Sequence, residues 1–326
     1  MITSKNQEPG NKTVYGLFTL VFIYLISCSN IGFNQTKSGL SYKIIPGGGT
    51  KKAQIGDFVV VDLVTKNGTD SVLEDTWKNK RSRKVFVQKP ASIRDFNEIL
   101  LMLAEKDSCV VRIPADSLFK GGPFPKEIKA GSFLTFQLRV QHVIPKDQVD
   151  GYLKKEKADN EQAEKVNLDK YIKSNNLNPT MTADGLGYII SKQGVGPKVE
   201  AGDTVLVNYT GRLLNGKVFD TNDEETAKAS KKFDIQRKMG GGYAPIHFAV
   251  GIGQVIKGWD EGLLLLNKGS KAKFIIPSNL GYGDRSPGGD IVPFSSLVFD
   301  VELVDIHKAK PGSNPTRGMM PPAPQK

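Results

Sequence analysis

The side chains able to make and break bonds are few and scattered. His142, His247 and His307 stand far apart with no ligand spacing between them. Neither a zinc cage nor a histidine-based triad is expected from them. Cys109 sits in the strand-like run Asp107–Pro114, the setting of a buried structural thiol and not of a reactive one. Gly211-Arg-Leu-Leu-Asn-Gly-Lys217 imitates a phosphate-binding loop. It runs on into Val218 where Ser or Thr is needed, and it occupies a hairpin turn and not the start of a helix. Residue types and spacing single out no further catalytic group: aromatics such as Tyr209, Phe219, Trp259, Tyr282 and Phe299, and the carboxylate Asp220 among many, are interspersed along the second half of the chain. Any one of these aromatics alone reads as core.

The elements that must position this set follow from pattern. Gly202-Asp-Thr-Val-Leu-Val207 alternates like a half-buried strand, and Ser296–Leu303 alternates again. Asn215-Gly216 is a tight-turn signal between two strands. Trp259–Leu266 reads as one short helix, with Gly269 beyond its end as a C-cap. The sum is an antiparallel sheet with one short helix, an α+β domain of about 110–130 residues.

The chain has 326 residues, which suggests two such domains, and an internal repeat supports that count. Thr36–Leu63 lies over Thr182–Tyr209 at an offset of 146, matching Gly39, Leu40, Tyr42, Gly56 and Asp57 to Gly185, Leu186, Tyr188, Gly202 and Asp203. Ala91–Val140 lies over Gln254–Leu303 at an offset of 163, matching Ile93, Glu98, Leu100, Pro114 and Phe136 to Ile256, Glu261, Leu263, Pro277 and Phe299. A period this long marks a duplicated domain and not a solenoid. The second copy carries 17 extra residues in the intervening loop, within the polar stretch 221–244 that contains Gly240-Gly-Gly242. That stretch reads as a surface insertion. Pro145–Pro179 holds seven basic and seven acidic residues; a solvated helical linker broken near Gly151 is expected. No apolar run beyond residue 40 approaches the ~20 residues of a membrane span, which excludes a polytopic membrane protein.

Five strings in the second copy carry a resemblance. Val207-Asn-Tyr-Thr-Gly211, Gly216-Lys-Val-Phe-Asp220, Val255-Ile-Lys-Gly-Trp-Asp-Glu-Gly262, Ile276-Pro-Ser-Asn-Leu-Gly-Tyr-Gly283 and Leu297-Val-Phe-Asp-Val-Glu-Leu303 together resemble an FKBP-type peptidyl-prolyl cis–trans isomerase. The likeness spans residues 182–307 in the family's order. It implies two FKBP-like domains, each a twisted antiparallel sheet wrapped around one short helix, divided as residues 29–145 and 182–309 about a linker at 146–181, with a disordered tail at 310–326. It implies catalysis on proline-containing unfolded or exported polypeptides, with neither cofactor nor metal, and it allows macrolide-type inhibitors as ligands.

By the same resemblance Trp259 is the floor under a prolyl ring, walled by Tyr209, Phe219, Val255, Ile256 and Phe299, with Ile246 and Phe248 beside them. The Ile256 N–H and the Tyr282 hydroxyl donate to substrate carbonyls, and Asp220 sits near the rotating carbonyl, held by Tyr209. Ile246 stands where the family commonly has an aromatic. The rim loop Asp284–Val292 is one residue longer than the common form, with Ile291 and Val292 facing the substrate. In register, the first copy replaces Tyr209, Phe219, Asp220, Val255, Trp259 and Tyr282 by Leu63, Leu73, Glu74, Ser92, Phe96 and Phe119. Its core pattern survives and its pocket does not, so binding or spacing is expected of it and not catalysis.

The N-terminus reads as an address. Lys5 and Lys12 precede an almost wholly apolar run from Val14 to Ile26, which ends Leu25-Ile26-Ser27-Cys28. That is a signal peptide over residues 1–28 closing on a string that resembles the lipobox of bacterial lipoproteins, with Cys28 as the lipidated residue. Ser29 follows and no Asp, which favours the outer membrane, facing the periplasm. The net charge of +11 is not spread evenly: residues 29–145 carry 18 basic and 11 acidic side chains, whereas residues 182–309 carry 15 of each. A basic first domain suits anionic head groups or an acidic partner; no nucleic-acid motif accompanies it. The expected function is a lipid-anchored prolyl isomerase of the cell envelope. The alternative is a binding or scaffold lipoprotein with chaperone-like activity beside gliding or secretion machinery.

Overall fold

The computed structural model describes residues 32–78, 82–119 and 122–309. The Leu25–Cys28 string and the 310–326 tail lie outside the described residues. The chain divides into two compact units, Met1–Tyr152 and Leu153–Lys326.

In the first unit, strands β1 (Asn34–Gln35), β2 (Ser41–Ile45), β3 (Phe58–Lys66), β4 (Val72–Asp75), β5 (Arg83–Phe86), β6 (Ser108–Pro114) and β7 (Phe133–Ile144) form one sheet in the order β1-β2-β6-β7-β3-β4, with β5 also paired to β3. The pairings are antiparallel. Alternation sends Val59 and Val61 of β3 and Leu138 and Val140 of β7 into the core. The short helix α1 (Asn97–Leu100) covers that face with Ile99 and Leu100. A second short helix, α2 (Ala115–Leu118), follows β6. Cys109 is free and buried, and burial pushes its thiol up to about 12.

The helix α3 (Val149–Ser174) follows β7 and runs unbroken through Gly151, correcting the expected break. Gly151 lies in the first turn, where little helix precedes it, and one helical glycine costs only ~1 kcal/mol. In the second unit, β8 (Thr180–Met181), β9 (Gly187–Lys192), β10 (Thr204–Leu213), β11 (Val218–Thr221), β12 (Ile246–Ala249), β13 (Lys271–Ile276) and β14 (Leu297–His307) form a sheet in the order β11-β10-β14-β13-β9-β8, with β12 also paired to β10. Strand for strand this is the order of the first unit. The irregularities match too: the ladders shift between Val60 and Val61 and between Thr65 and Lys66, and again 146 residues on, between Leu206 and Val207 and between Gly211 and Arg212. Both units are α+β.

The insertion is not a plain loop. It holds two short helices, α4 (Glu224–Ala229) and α5 (Ile235–Met239), each N-capped by an aspartate: Asp223 accepts from Thr226 N–H, and Asp234 from Gln236 and Arg237 N–H. The helix beneath the sheet, α6 (Lys257–Leu263), starts and ends earlier than its pattern indicates. Leu265 and Leu266 donate three residues back, to Gly262 and Leu263, so the helix tightens out before Leu266. Gly269 does not cap it. With φ +89 it turns the chain into β13, donating its N–H to Leu303 at 2.8 Å.

One buried carboxylate per unit closes the sheet. Asp57 accepts from Gln54 N–H at 2.9 Å and Lys146 N–H at 3.0 Å; Asp203 accepts from Glu200 N–H at 2.8 Å and Ala309 N–H at 3.0 Å, and from the Lys308 ammonium at 3.0 Å. Each thereby ties the start of the central strand to the exit of the last. Burial opposes the charge on Asp203, but those donors outweigh it and hold its carboxyl below the usual range. A carboxylate depressed in the folded state contributes stability above its unfolded pKa of ~3.9, and that stability is lost as pH falls through the folded value. Asp203→Asn is therefore expected to cost ~1–3 kcal/mol at neutral pH, measured by urea unfolding. The gap to the parent chain should close at pH values well under ~4; an unchanged gap there would remove the ionic part of the argument.

Candidate active site

The site is built where α6 meets β10, β11, β12 and β14. Gly211 pairs with both Asp220 and Phe299. A Cβ on Gly211 would stand 2.6 Å from Phe219 Cζ and 2.7 Å from Phe299 Cε1. Its absence lets those two rings meet edge to face over the strand, 5.4 Å apart at 89°. The α6 helix delivers Trp259 into the same cluster, 5.1 Å from Phe299 at 88°, 5.4 Å from Tyr209 at 80° and 5.8 Å from Phe248. Trp259 is 4% exposed, and among the described residues its Nε1 has no hydrogen-bond partner.

Polar groups border this apolar floor. The Tyr209 hydroxyl donates to Asp220 Oδ2 at 2.6 Å. Asp220 Oδ1 accepts from Arg237 Nη1 at 2.7 Å and from Thr221 N–H at 2.9 Å. Burial first, and then the Asp220 charge, raise the ionisation of both Tyr209 and Tyr282 above the usual tyrosine value. Both hydroxyls therefore stay protonated, and remain donors, at neutral pH. Burial works against the Arg237 charge, but the bond to Asp220 prevails and holds it on.

Arg237 was not among the residues expected at the site. It comes from the insertion, 17 positions beyond Asp220, as the third residue of α5. Its Nε donates to the Gly242 carbonyl at 3.0 Å, and its guanidinium lies 5.1 Å over the Tyr243 ring. The glycine run explains itself here: a Cβ on Gly242 would stand 2.5 Å from Arg237 Cγ, and Gly241 has φ +73. In the sequence, an arginine closely followed by three glycines was the available signal of a close approach.

The remaining expected residues all fall in this unit. Phe219, Phe248, Trp259, Ile291 and Phe299 belong to one buried core, with Tyr209, Ile246, Val255, Ile256 and Tyr282 partly buried against it. Ile256 caps α6 in extended conformation, and among the described residues no acceptor meets its N–H. The rim divides the last pair. Val292 is half-buried, and Ile291 is 1% exposed, in the same buried core as Trp259 and Phe299. Just before them Asp290 is bonded by Lys217 at 2.6 Å and Lys232 at 2.8 Å. That pins the chain and turns Ile291 into the core. On the other face of the sheet a concavity of about 590 Å³, lined by Asn208, Thr210, Lys273, Asp300 and Glu302, shares only Tyr209 with the aromatic cluster.

The first unit keeps the frame without the polar groups. Thr65 pairs with Glu74 as Gly211 pairs with Asp220, but Glu74 bonds Arg83 at 2.5 Å, and Leu63 supplies no hydroxyl. Phe96 meets Phe136 at 5.7 Å where Trp259 meets Phe299. Ile93 is 74% exposed.

A family model described as FKBP-type peptidyl-prolyl cis-trans isomerase matches residues 196–304, inside the second unit. A Haemophilus influenzae protein described as "Probable FKBP-type peptidyl-prolyl cis-trans isomerase" is 42% identical over 126 residues, 39% of this chain and 44% of that one. A Neisseria meningitidis protein, "Probable FKBP-type peptidyl-prolyl cis-trans isomerase FkpA", is 40% identical over 156 residues, 47% of this chain and 50% of that one. The "Outer membrane protein MIP" of Legionella longbeachae is 32% identical over 203 residues, 61% of this chain and 78% of that one. The chain spans about half the length of the first two.

A double-mutant cycle tests the Asp220–Arg237 pair. Both side chains are about one-third exposed or less, which places the expected coupling near ~1 kcal/mol, between a surface pair and a buried one. Asp220→Ala, Arg237→Ala and the double variant, unfolded in urea, should show that coupling, reduced by added salt. Strictly additive losses would mean that the pair contributes nothing.

Proposed function

The chain belongs to the FKBP-type peptidyl-prolyl cis–trans isomerases, and from that premise we propose that its second unit catalyses rotation about X–Pro peptide bonds in exported polypeptides of the cell envelope. The observation that carries the reading is the Trp259 floor bordered by the Tyr209–Asp220–Arg237 cluster. Rotation must overcome ~18–20 kcal/mol of lost amide resonance. No bond breaks, so no nucleophile is needed. A planar amide has the larger dipole, and water solvates it best. A dry aromatic floor that receives the prolyl ring removes that advantage and favours the twisted amide.

On this reading Phe219, Phe248 and Phe299 shape the floor with Trp259, and Ile246, Val255 and Val292 flank it, with Ile291 supporting the rim from below. Tyr282, kept protonated by burial and by Asp220, donates to one substrate carbonyl, and the Ile256 N–H to another. Tyr209 and Arg237 occupy both Asp220 oxygens, which fixes a negative charge beside the rotating carbonyl carbon. The first unit, without the hydroxyls and the indole, handles client chains and not their chemistry. Residues 182–309 are the catalytic domain and 29–145 the diverged copy. The relative called an outer membrane protein supports an envelope location, and the Ser27-Cys28 string a lipid anchor.

A protease-coupled proline-peptide assay checks the site. Tyr282→Phe and Asp220→Ala, which remove polar groups with little volume, should each lower kcat/KM by about tenfold or more, near the ~10²-fold scale of a lost transition-state donor. Phe96→Leu in the first unit should leave it unchanged. Full turnover by both second-unit variants, while folded, would defeat the assignment.

The anchor has its own measurement. Palmitate should label the parent protein and not Cys28→Ala. Equal labelling of the two would end the lipoprotein reading.

A further inference from the structure

One carboxylate of α3 reaches into the catalytic unit. Glu164 accepts the Ser278 N–H on Oε1 at 2.6 Å, the Ser278 hydroxyl on Oε2 at 2.5 Å, and the Ser296 hydroxyl on Oε1 at 2.6 Å. Ser278 and Ser296 are 4% and 3% exposed, so these charge-assisted bonds are shielded from water. Elsewhere the contact is loose. A cavity of about 620 Å³ lies between α3 and the body of the unit, lined by Leu168, Met181, Pro277 and Phe294 among others. The carboxylate is thus a polar attachment of α3 to the unit beside the buried Leu168.

The two serines mark the ends of the segment that carries Tyr282, Ile291 and Val292. Ser278 opens it after β13, and Ser296 closes it before β14. Ser278 is also its hub. Its carbonyl accepts the Gly281 N–H at 2.9 Å and the Gly283 N–H at 2.7 Å, on either side of Tyr282, and the Gly283 carbonyl accepts the Phe294 N–H at 2.8 Å. A shift at Ser278 is therefore passed to the residues flanking the Tyr282 ring. The first unit shows the alternative. Ala115, in the register place of Ser278, gives its N–H to the Ser132 carbonyl at 2.8 Å, so that segment is tied down by its own backbone. The catalytic unit has surrendered this tie to a side chain from the helix that precedes it.

We propose that Glu164 is a positioning residue of the isomerase site, holding the Tyr282 hydroxyl and the Val292 rim in place through Ser278 and Ser296. The proposal rests on the reading of that site given above. The Pro145–Pro179 segment is then more than a solvated spacer: one acidic position in it belongs to the enzyme.

The test uses the whole chain. Glu164→Ala should lower kcat/KM on a proline peptide by about fivefold or more, as couplings between contacting residues do. Glu164→Asp, one methylene too short, should behave the same way. Glu164→Gln keeps an Oε1 acceptor for the Ser278 N–H and the Ser296 hydroxyl and should stay within about twofold of the parent. In a Tyr282→Phe background Glu164→Ala should change turnover little, because the group it positions is gone. Undiminished turnover by folded Glu164→Ala, or an equal loss in the Tyr282→Phe background, would overturn the proposal. Hydrogen exchange gives a readout independent of activity: the Ser278 and Gly283 amides should exchange faster in Glu164→Ala. Unchanged exchange there overturns the positioning role whatever the turnover. A parent chain that turns over no peptide, with exchange still accelerated, overturns the site reading alone.

Discussion

Trp259 stands at the seam between one short helix and a curved sheet, and the second unit is arranged around the space this ring requires. Three aromatic rings meet it at 5.1–5.8 Å, and their approach depends on a residue that is not aromatic. Gly211 has no side chain where one of them, Phe299, passes beside Phe219. The same economy operates beneath the helix. A Cβ on Gly258 would strike Ile276 at 2.6 Å, and one on Gly262 would strike the Phe274 ring at 2.7 Å. The helix therefore sits close enough to the sheet to hold the indole in a dry place. Close packing of this kind tolerates little added volume. The floor is thus continuous with the core, and its stability is the core's.

The duplicated frame separates what the fold needs from what the site needs. Both units share strand order, ladder irregularities and the aspartate that ties the central strand to the last one. These are demands of a curved antiparallel sheet, and both copies meet them with the same residues or their close equivalents. The hydroxyl–carboxylate–guanidinium cluster and the indole occur in one copy only. In the other, Leu63, Glu74 and Phe96 fill the same register without disturbing the sheet. The polar cluster is therefore not required to fold the unit, which is the strongest structural argument that it is there for a ligand.

How far the sequence could be read depended on how local each signal was. Alternation, the Asn215-Gly216 turn and the internal repeat gave the sheet because strand faces and tight turns are set by neighbours in sequence. The residues of the aromatic cluster were named through the resemblance of five strings, not through local pattern, and the fold brings them into one core. The α6 boundaries were missed because Leu264, Leu265 and Leu266 continue the apolar pattern while the backbone tightens into three-residue turns. The pinning of Asp290 by Lys217 and Lys232 was not legible, because a loop pattern carries no signal of distant charged partners. Arg237 and Glu164 escaped notice altogether. Each is one charged residue in a polar stretch, and only the tertiary fold brings it to its partners.

These missed residues have something in common. Arg237 and Lys232 come from the insertion and Glu164 from the helix ahead of the domain; the first copy has neither the insertion nor a preceding helix of this kind among its described residues. Of their partners, Asp220 is bonded to Tyr209 of the aromatic cluster, Asp290 directly precedes Ile291, and Ser278 and Ser296 end the segment that carries Tyr282. An apolar pocket that must admit a polypeptide cannot be closed over by its own core, so its edges are the least constrained part of the unit. Charged bonds from adjoining segments can order such an edge without filling the space a substrate needs, and their directionality holds a donor such as the Tyr282 hydroxyl in one place. The consequence is that the site extends beyond the 196–304 span that matches the family. The frame and floor lie within that span, and part of the force that holds the rim still originates in a helix outside it.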